Sequence, residues 1–196
     1  MTATVKLTEE ADFLLELETL MNIERQNPLA GSPRRERVAE HSWFLAIAAI
    51  LLRDDANPNI DLGRAVTLAV AHDVVEKFVG DTFAFSDETA GQSEREHRAM
   101  AELRKRTGSP GITRIIDAWQ EYEDQETPEA KFVKGLDALI PIMQNHNNLE
   151  HSSWSRHHVK ADKVVARLNN HGDVGEMWQG IAAEMIKDAE ERGVLT

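Results

Sequence analysis

The sequence of 196 residues contains no cysteine, a single tyrosine and no long run of apolar residues. The absence of cysteine excludes disulfide bonds, iron–sulfur clusters and thiol nucleophiles. A membrane-spanning helix needs about 20 apolar residues, and no stretch reaches that length. The first ten residues are polar and of mixed charge, so no signal peptide is expected. We therefore expect a soluble cytoplasmic protein that has no membrane partner.

Positive charge is also scarce, because 22 Lys and Arg residues stand against 34 Asp and Glu residues, for a net charge of −12. Such a surface repels phosphate polymers, so no nucleic-acid polymer is expected as a partner. A small anionic ligand is still possible where a metal ion or clustered arginines supply positive charge. The chain length favours one domain over residues 1–196, since a single core serves up to about 250 residues.

Apolar residues recur at helical spacing along most of the chain, and no stretch shows a convincing strand pattern. The predicted fold is therefore all-α, an irregular helical bundle. Helices are predicted at residues 8–22, 38–53, 93–107, 112–123, 128–144, 160–168 and 174–192, with another from Leu62 towards Gly80. Helices within residues 160–192 should pack on the core, although the apolar face around Trp178 equally suits a subunit contact.

Two segments interrupt the predicted helices. Residues 27–32, with the sequence NPLAGS, are predicted to form a loop before Pro33. Residues 82–92 are predicted to be an irregular segment over the surface, of the kind that often covers a site as a lid.

The stretch LAVAHDVVEKFVGD, residues 68–81, concentrates ionisable side chains after an apolar run. His72 and Asp73 are adjacent, Glu76 follows at helical spacing from both, and Asp81 follows Gly80 on a loop. Removing isolated charges from water is costly unless they are paired or bind a metal ion. The cluster therefore predicts a ligand-binding site.

Two more polar side chains are predicted to face the core from apolar helix faces, His41 and Asp137. A lone histidine there is more often a hydrogen-bonded core residue than a ligand. Asp137 could likewise pair with Lys134. Pro141 lacks the N–H that would bond the Asp137 carbonyl, so a kink is expected beside this carboxylate.

Together these side chains offer two nitrogen and two oxygen donors, a mixture that suits Zn²⁺, Mn²⁺, Fe²⁺ or Co²⁺. The four candidate metal ligands are His41, His72, Asp73 and Asp137. Other histidines, His97 and those in residues 146–158, lie in polar sequence without ligand spacing and are interpreted as solvated.

Arginines cluster between residues 24 and 37 of this acidic chain. Arg25, Arg34, Arg35 and Arg37 outnumber Glu24 and Glu36 there. Solvated surface charge is the simplest interpretation for Arg37 and for one of the adjacent pair. Arg25 is interpreted as functional, and Arg34 and Arg35 are further candidates for substrate binding.

These residues resemble a known family. The order H…HD…D is that of the HD-domain superfamily of metal-dependent phosphohydrolases, and RRERVAEHSWFLAI, AHDVVEKFVGD and KFVKGLDAL resemble the branch that contains the 5′-deoxynucleotidases. The likeness covers about residues 21–143. It implies a fold of the HD-domain type, one divalent transition metal ion (Co, Mn, Zn or Fe), hydrolysis of (deoxy)nucleoside 5′-monophosphates to nucleoside and phosphate, and commonly a homodimer.

The same resemblance implies roles for individual residues. Glu76 corresponds to the acid–base carboxylate, Asp81 to a second acid and Arg25 to an arginine that faces the phosphate. The implied metal ligands are His41, His72, Asp73 and Asp137. Nucleotidases of this group that have a tryptophan after the arginine use it near the sugar, whereas this chain has Gln26.

Two other functions compete with a nucleotidase. Some HD proteins bind two irons and oxidise phosphonates or alcohols, but they need extra histidines between the HD pair and the last Asp, where this chain has only His97. A non-catalytic nucleotide-binding helical module would have no need for Glu76, Asp81 and Arg25.

Overall fold

The computed structural model describes residues 8–86 and 91–196, in which helices surround one short hairpin. In chain order the elements are α1 (Glu9–Leu17), β1 (Glu24–Pro28), β2 (Arg35–Arg37), α2 (Val38–Ala56), α3 (Leu62–Ala71), α4 (Glu76–Val79), α5 (Gln92–Arg106), α6 (Pro110–Asp124), α7 (Pro128–Asn147), α8 (Ser153–His157), α9 (Ala161–Asn170) and α10 (Glu176–Glu191), with short 3₁₀ turns at Glu18–Met21 and Leu149–His151. The mostly helical fold agrees with the prediction.

Several of the described helices begin where the sequence supplies a capping side chain. Thr8, Asp61, Ser109 and Thr127 each accept a hydrogen bond from a backbone N–H in the first turn of α1, α3, α6 and α7. α6 and α7 also have proline in the first turn, where no N–H is needed. The first predicted helix is shorter than expected, since its last part, Glu18–Met21, is a 3₁₀ turn.

The structure contains a two-stranded hairpin, so the prediction that the chain has no strand was wrong. β1 and β2 are antiparallel, with Glu24 opposite Arg37 and Pro28 opposite Arg35. Residues 27 and 28, expected in a loop, belong to β1. The strands have five and three residues of mostly charged or polar sequence, so they lack the apolar alternation by which strands are recognised. The chain between them forms the turn.

α7 lies at the centre of the molecule and packs against α2, α3, α6, α9 and α10. Its buried side chains include Phe132, Leu136 and Leu139, each at most 1% exposed. The helix continues through Pro141 to Asn147, so the proline does not end it. Because α7 is enclosed on several sides, Asp137 at its middle is only 7% exposed.

The C-terminal helices pack on this core. α10 contacts α7 and α9, and its Ala182, Ile186 and Ala189 are buried. Trp178 is half-buried, and its Nε1 donates to Asp55 Oδ2 at 3.1 Å. The apolar face of α10 therefore belongs to the core. No helix among the described residues is both long and apolar enough to cross a membrane.

Candidate active site

The four side chains predicted as metal ligands converge beside a cleft of about 840 Å³ at the side of α7, and three of them, His72, Asp73 and Asp137, line it. We call them the donor group: His41 on α2, His72 and Asp73 in the turn after α3, and Asp137 on α7. His41 Nε2 lies 3.0 Å from Asp137 Oδ1 and 3.9 Å from Asp73 Oδ2. His72 Nε2 lies 3.0 Å from Asp73 Oδ2.

The spacing of these atoms fits one metal ion. Two donors that bind the same ion at roughly 2.1 Å are at most about 4.2 Å apart. His41 Nε2 and His72 Nε2 meet this limit at 3.9 Å and 3.0 Å from Asp73 Oδ2, and the ligand atoms of the three residues all lie within 4.8 Å of one another. His72 Nε2 is also buried and makes no hydrogen bond among the described residues. A buried nitrogen without a partner, beside a carboxylate oxygen, is what a metal site requires.

A polar group on the far side of each histidine ring orients the donor atoms, a carbonyl oxygen for His72 and a carboxylate for His41. His72 Nδ1 lies 2.9 Å from the Ala69 carbonyl oxygen, which can only accept, so the proton belongs on Nδ1 and the Nε2 lone pair faces the group. His41 Nδ1 lies 3.3 Å from Glu36 Oε2. Burial and the charge of Arg25 lower the pKa of His41, but Asp137 and Glu36 outweigh them and raise it to about 9.

On each of the two carboxylates of the donor group, burial and nearby positive charge shift the pKa in opposite directions. Burial raises the pKa of Asp73, but His72, Arg25 and His41 outweigh it and bring that pKa to about 2. Asp137 is held well below its usual pKa, against burial, by the hydrogen bond from His41 and the charge of Arg167. Both side chains are therefore ionised, the form in which a carboxylate binds a metal ion.

Arg25 enters the cleft from β1 and touches several of these acids. Its Nη1 is 2.9 Å from Asp73 Oδ2 and 3.8 Å from Asp81 Oδ1, and its side chain is 11% exposed. Burial lowers its pKa, but Asp73, Asp81, Glu76 and Asp137 together raise it. A permanent positive charge is thus held beside the donor group.

Glu76 and Asp81 lie at the two ends of α4 and line the same cleft. Glu76 is 5% exposed, and its Oε2 has no hydrogen-bond partner among the described residues. Burial, with Asp73 and Asp81 nearby, raises the pKa of Glu76 well above its ordinary value. Burial also raises the pKa of Asp81, against the charge of Arg25. Carboxyl groups with raised pKa values are suited to exchanging protons near neutral pH.

Three residues at this site were not predicted from the sequence. Glu36, 1% exposed on β2, contacts both His41 and Arg25, and it accepts from Gln144 Nε2 at 2.6 Å. Tyr122 donates to Asp137 Oδ2 at 3.0 Å, and Arg167 does so at 3.4 Å. Strand β2 turns only its middle residue inward, and three charged residues in a row give no sequence signal for that.

The sequence model of the HD domain matches residues 17–178, which span the donor group, Glu76, Asp81 and Arg25. The chain belongs to the HD domain family. The family order of histidine, histidine–aspartate and aspartate is the order in which α2, the turn after α3 and α7 supply the donor group.

Individual HD domain proteins resemble this chain over most of its length. 5′-Deoxynucleotidase HDDC2 of Homo sapiens is 34% identical over 155 residues, which are 77% of this chain and 73% of that protein. 5′-Deoxynucleotidase hdd1 of Schizosaccharomyces pombe is 31% identical over 154 residues, 71% of this chain and 76% of that protein. A crystal structure described as a predicted metal-dependent phosphohydrolase from Magnetospirillum magnetotacticum MS-1 superimposes with a TM-score of 0.83, at 33% identity, over 95% of this chain and 94% of that one.

Other candidates for this HD domain site do not converge on the donor group. Arg34 pairs with Glu40 and Arg35 pairs with Glu24, both on the outside of the hairpin, and neither arginine lines the cleft. His97 is exposed on α5, where its ring packs against Trp119.

Residues 82–92 were expected to act as a lid, and residues 87–90 of this segment lie outside the described residues. Phe83, Ala84 and Phe85 line the cleft, and the Phe83 ring centroid is 4.4 Å from that of His157. Gln26, next to Arg25 on β1, lines the cleft and is hydrogen-bonded to Arg156 and His157.

Proposed function

We propose that the protein is a metal-dependent phosphomonoesterase that hydrolyses (deoxy)nucleoside 5′-monophosphates to nucleoside and phosphate. The observation that carries this proposal is the meeting of a metal-compatible donor group, two carboxyl groups of raised pKa and one buried arginine in a single cleft. Relatives named 5′-deoxynucleotidase, at 34% and 31% identity, support the choice of substrate.

The donor group would hold one divalent ion through His41, His72, Asp73 and Asp137. The chemistry that such an ion supplies is polarisation of a phosphate oxygen and a lower pKa for a water molecule. The mixture of nitrogen and oxygen donors suits Co²⁺, Mn²⁺, Zn²⁺ or Fe²⁺. Without the ion, the acids of the cleft would repel a phosphate dianion, so metal-free protein should bind substrate poorly.

The protein side chains then divide the remaining work. Water attacks the phosphorus and the bond to the nucleoside oxygen breaks, while Glu76 accepts the proton of the water. Asp81, or the protonated Glu76, gives a proton to the departing nucleoside oxygen. Arg25 offsets the charge that builds on the equatorial phosphate oxygens. Its anchoring by Asp73 and Glu36 fixes the guanidinium before substrate arrives.

Replacement of Glu76 by glutamine tests this assignment. We expect Glu76→Gln to retain its metal and lose about 10²- to 10⁴-fold in kcat, the usual contribution of a positioned proton acceptor. Glu102→Gln is the matched control, because Glu102 lies on the exposed face of α5 and pairs with Lys105. Phosphate release would be followed with nucleoside 5′-monophosphates, 3′-monophosphates and sugar phosphates, each with several divalent metals.

Two outcomes would contradict the proposal in different ways. Wild-type turnover by Glu76→Gln with unchanged metal content would show that Glu76 is not the proton acceptor. A wild-type protein that hydrolyses no nucleoside monophosphate with any metal would remove the nucleotidase function and favour a non-catalytic binding module. Iron content together with oxygen uptake would favour an oxygenase, an alternative that the exposed position of His97 does not support.

We also propose that the protein forms a homodimer through the outer face of α2. Trp43, Ile50 and Leu51 are 65%, 50% and 69% exposed, and half-buried Ile47 lies between them on this face. Exposed aromatic and aliphatic side chains that share one helix face are typical of protein contacts. The cytoplasmic location expected from the sequence stays a prediction.

A further inference from the structure

A second cationic surface faces the donor group from α9. This helix lines the cleft with Lys163, Ala166, Arg167, Asn170 and, just after its end, His171. Positions 163, 167 and 170 are separated by four and three residues, so one face of α9 is turned to the cleft. The two cations on that face have no part in the mechanism above.

Arg167 approaches the donor group from α9, at the carboxylate oxygen of Asp137 that Arg25 does not contact. Its Nη2 lies 3.4 Å from Asp137 Oδ2, whereas Arg25 Nη2 lies 4.0 Å from Oδ1 of the same carboxylate. Two guanidinium groups, from β1 and α9, therefore flank a single predicted metal ligand. An anion that reaches the donor group would lie between them.

The hydrogen bonds of Arg167 leave most of the N–H donors of its guanidinium group available. Its contact with Asp137 is long for a charge-assisted bond, and Tyr122 already donates to the same oxygen at 3.0 Å. Among the described residues the Arg167 side chain makes no further hydrogen bond, and Lys163 pairs with no carboxylate. Lys134, in contrast, is engaged by Glu123 at 3.1 Å. The α9 cations are thus free to bind an added anion.

The charge of the cleft gives a reason why such cations are needed. The carboxylates in and around the cleft are Glu36, Asp73, Glu76, Asp81, Glu96, Glu123 and Asp137. A divalent ion and Arg25 do not offset all of them, so a phosphate monoester dianion would still meet net negative charge. Arg167 and Lys163 supply further positive charge from α9, whereas Lys134, which also lines the cleft, is paired with Glu123.

We propose that Arg167, assisted by Lys163, binds the phosphate group of the substrate together with Arg25. The inference rests on the proposed function, because the anion is the phosphate of a nucleoside 5′-monophosphate. A planar guanidinium can donate two parallel hydrogen bonds to phosphate oxygens, and the flexible ammonium of Lys163 adds charge at a greater distance. The substrate phosphate is then held by two arginines on separate elements.

Inorganic phosphate is the probe that separates this role from a purely structural one. Calorimetry would measure its affinity for the Mn²⁺-loaded wild type and for Arg167→Gln, Arg167→Lys and Lys163→Gln. We expect a 10- to 100-fold weaker affinity for Arg167→Gln, in line with loss of a hydrogen bond to a charged group. Arg167→Lys should recover part of this loss, and Lys163→Gln should lose several-fold. Mn²⁺ affinity should change by less than threefold in all of them.

Arg104→Gln is the matched control, because Arg104 lies on α5 outside the cleft and pairs with Asp117. It removes the same charge and should leave phosphate affinity unchanged. The proposal is overturned if Arg167→Gln weakens Mn²⁺ binding while phosphate affinity at saturating Mn²⁺ is unchanged, since Arg167 would then only hold Asp137. If Arg167→Gln does not fold, unchanged phosphate affinity in both Arg167→Lys and Lys163→Gln overturns it equally.

Failure of the proposed function would look different. A wild type that binds phosphate with Mn²⁺ and releases none from nucleotides would leave the Arg167 assignment standing while removing the nucleotidase. With active wild type, Arg167→Gln should raise KM for nucleoside monophosphates by more than tenfold. A wild type that binds no phosphate in the presence of Mn²⁺ overturns the assignment outright.

Discussion

Glu36 connects His41, a predicted metal ligand, to the buried Arg25. Its Oε2 lies 3.3 Å from His41 Nδ1 and 3.3 Å from Arg25 Nε, while Gln144 donates to its other oxygen. A carboxylate behind a ligating histidine fixes the orientation of the ring and increases its basicity. One buried side chain therefore determines the position of two functional groups that come from different elements.

Replacement of Glu36 by glutamine should disturb both groups. Its volume is retained, so the fold should persist, but the negative charge behind His41 and Arg25 is lost. We expect metal affinity to fall by about 10- to 100-fold, the usual cost of losing a partner behind a metal ligand. Metal titration of the apo protein, followed by calorimetry, measures this directly.

Glu40→Gln provides a nearby comparison for this measurement. Glu40 is exposed at the start of α2 and pairs with Arg34 away from the cleft. Its replacement removes the same charge and should leave metal affinity as in the wild type. Equal metal affinities for Glu36→Gln and wild type would show that His41 needs no carboxylate behind it.

At the scale of elements, the position of α9 depends on a close contact between α7 and the segment that connects α9 to α10. Asp173 N donates to the Lys131 carbonyl at 3.1 Å, so this connection lies directly on the α7 backbone. A Cβ at Gly135 would lie 2.8 Å from Val174 Cγ1 and 2.9 Å from Asp173 N. Gly172, with φ of +74°, lies against the same turn of α7. Small residues on both sides permit the approach.

Gly135→Ala should therefore destabilise the protein although alanine favours helix. The added methyl group meets backbone atoms that cannot move freely, and overpacking of this kind costs about 1–3 kcal/mol. Gly180→Ala is the control, because Gly180 also lies in a helix, α10, but a Cβ there meets nothing within 4 Å. It should stabilise by about 0.5–1 kcal/mol. Urea denaturation would give both free energies of unfolding, and equal signs for the two variants would contradict the packing argument.

The same elements explain what the sequence could predict. His41 and Asp137 were identified because α2 and α7 carry long apolar faces on which a polar residue is conspicuous. Glu36 was not, because three charged residues of β2 show no apolar alternation. Arg167 was not either, since its place beside Asp137 depends on how α9 packs against α7. Periodicity predicts which side of a helix is buried, while contacts between elements follow from packing.

At the scale of the whole molecule, the outer face of α2 has apolar side chains that the described fold leaves exposed. Trp43 and Leu51 are among them, two turns apart on the helix whose inner face carries His41. Covering this face with a second copy would remove apolar surface from water, at about 25 cal/mol per Å². The proposed dimer would thereby join two copies through α2, each with its own cleft.

Trp43→Glu combined with Leu51→Glu should abolish the proposed dimer. Charges at the centre of an apolar contact would have to lose their hydration, so we expect a monomer in solution. Light scattering after size-exclusion chromatography measures the mass. Met177→Glu, at a residue on α10 that is 51% exposed, should leave the mass unchanged. A monomeric wild type at micromolar concentration would exclude this interface.

The separation of the donor group along the chain links metal binding to the folding equilibrium. His41 and Asp137 are 96 positions apart, and they meet only when α2, α3 and α7 have docked. An unfolded chain cannot offer the four donors together, so a divalent ion selects the native state. By mass action, an ion present at 100 times its Kd would add about 2.7 kcal/mol to the free energy of unfolding. Metal binding at the proposed catalytic centre would then also stabilise the fold reversibly.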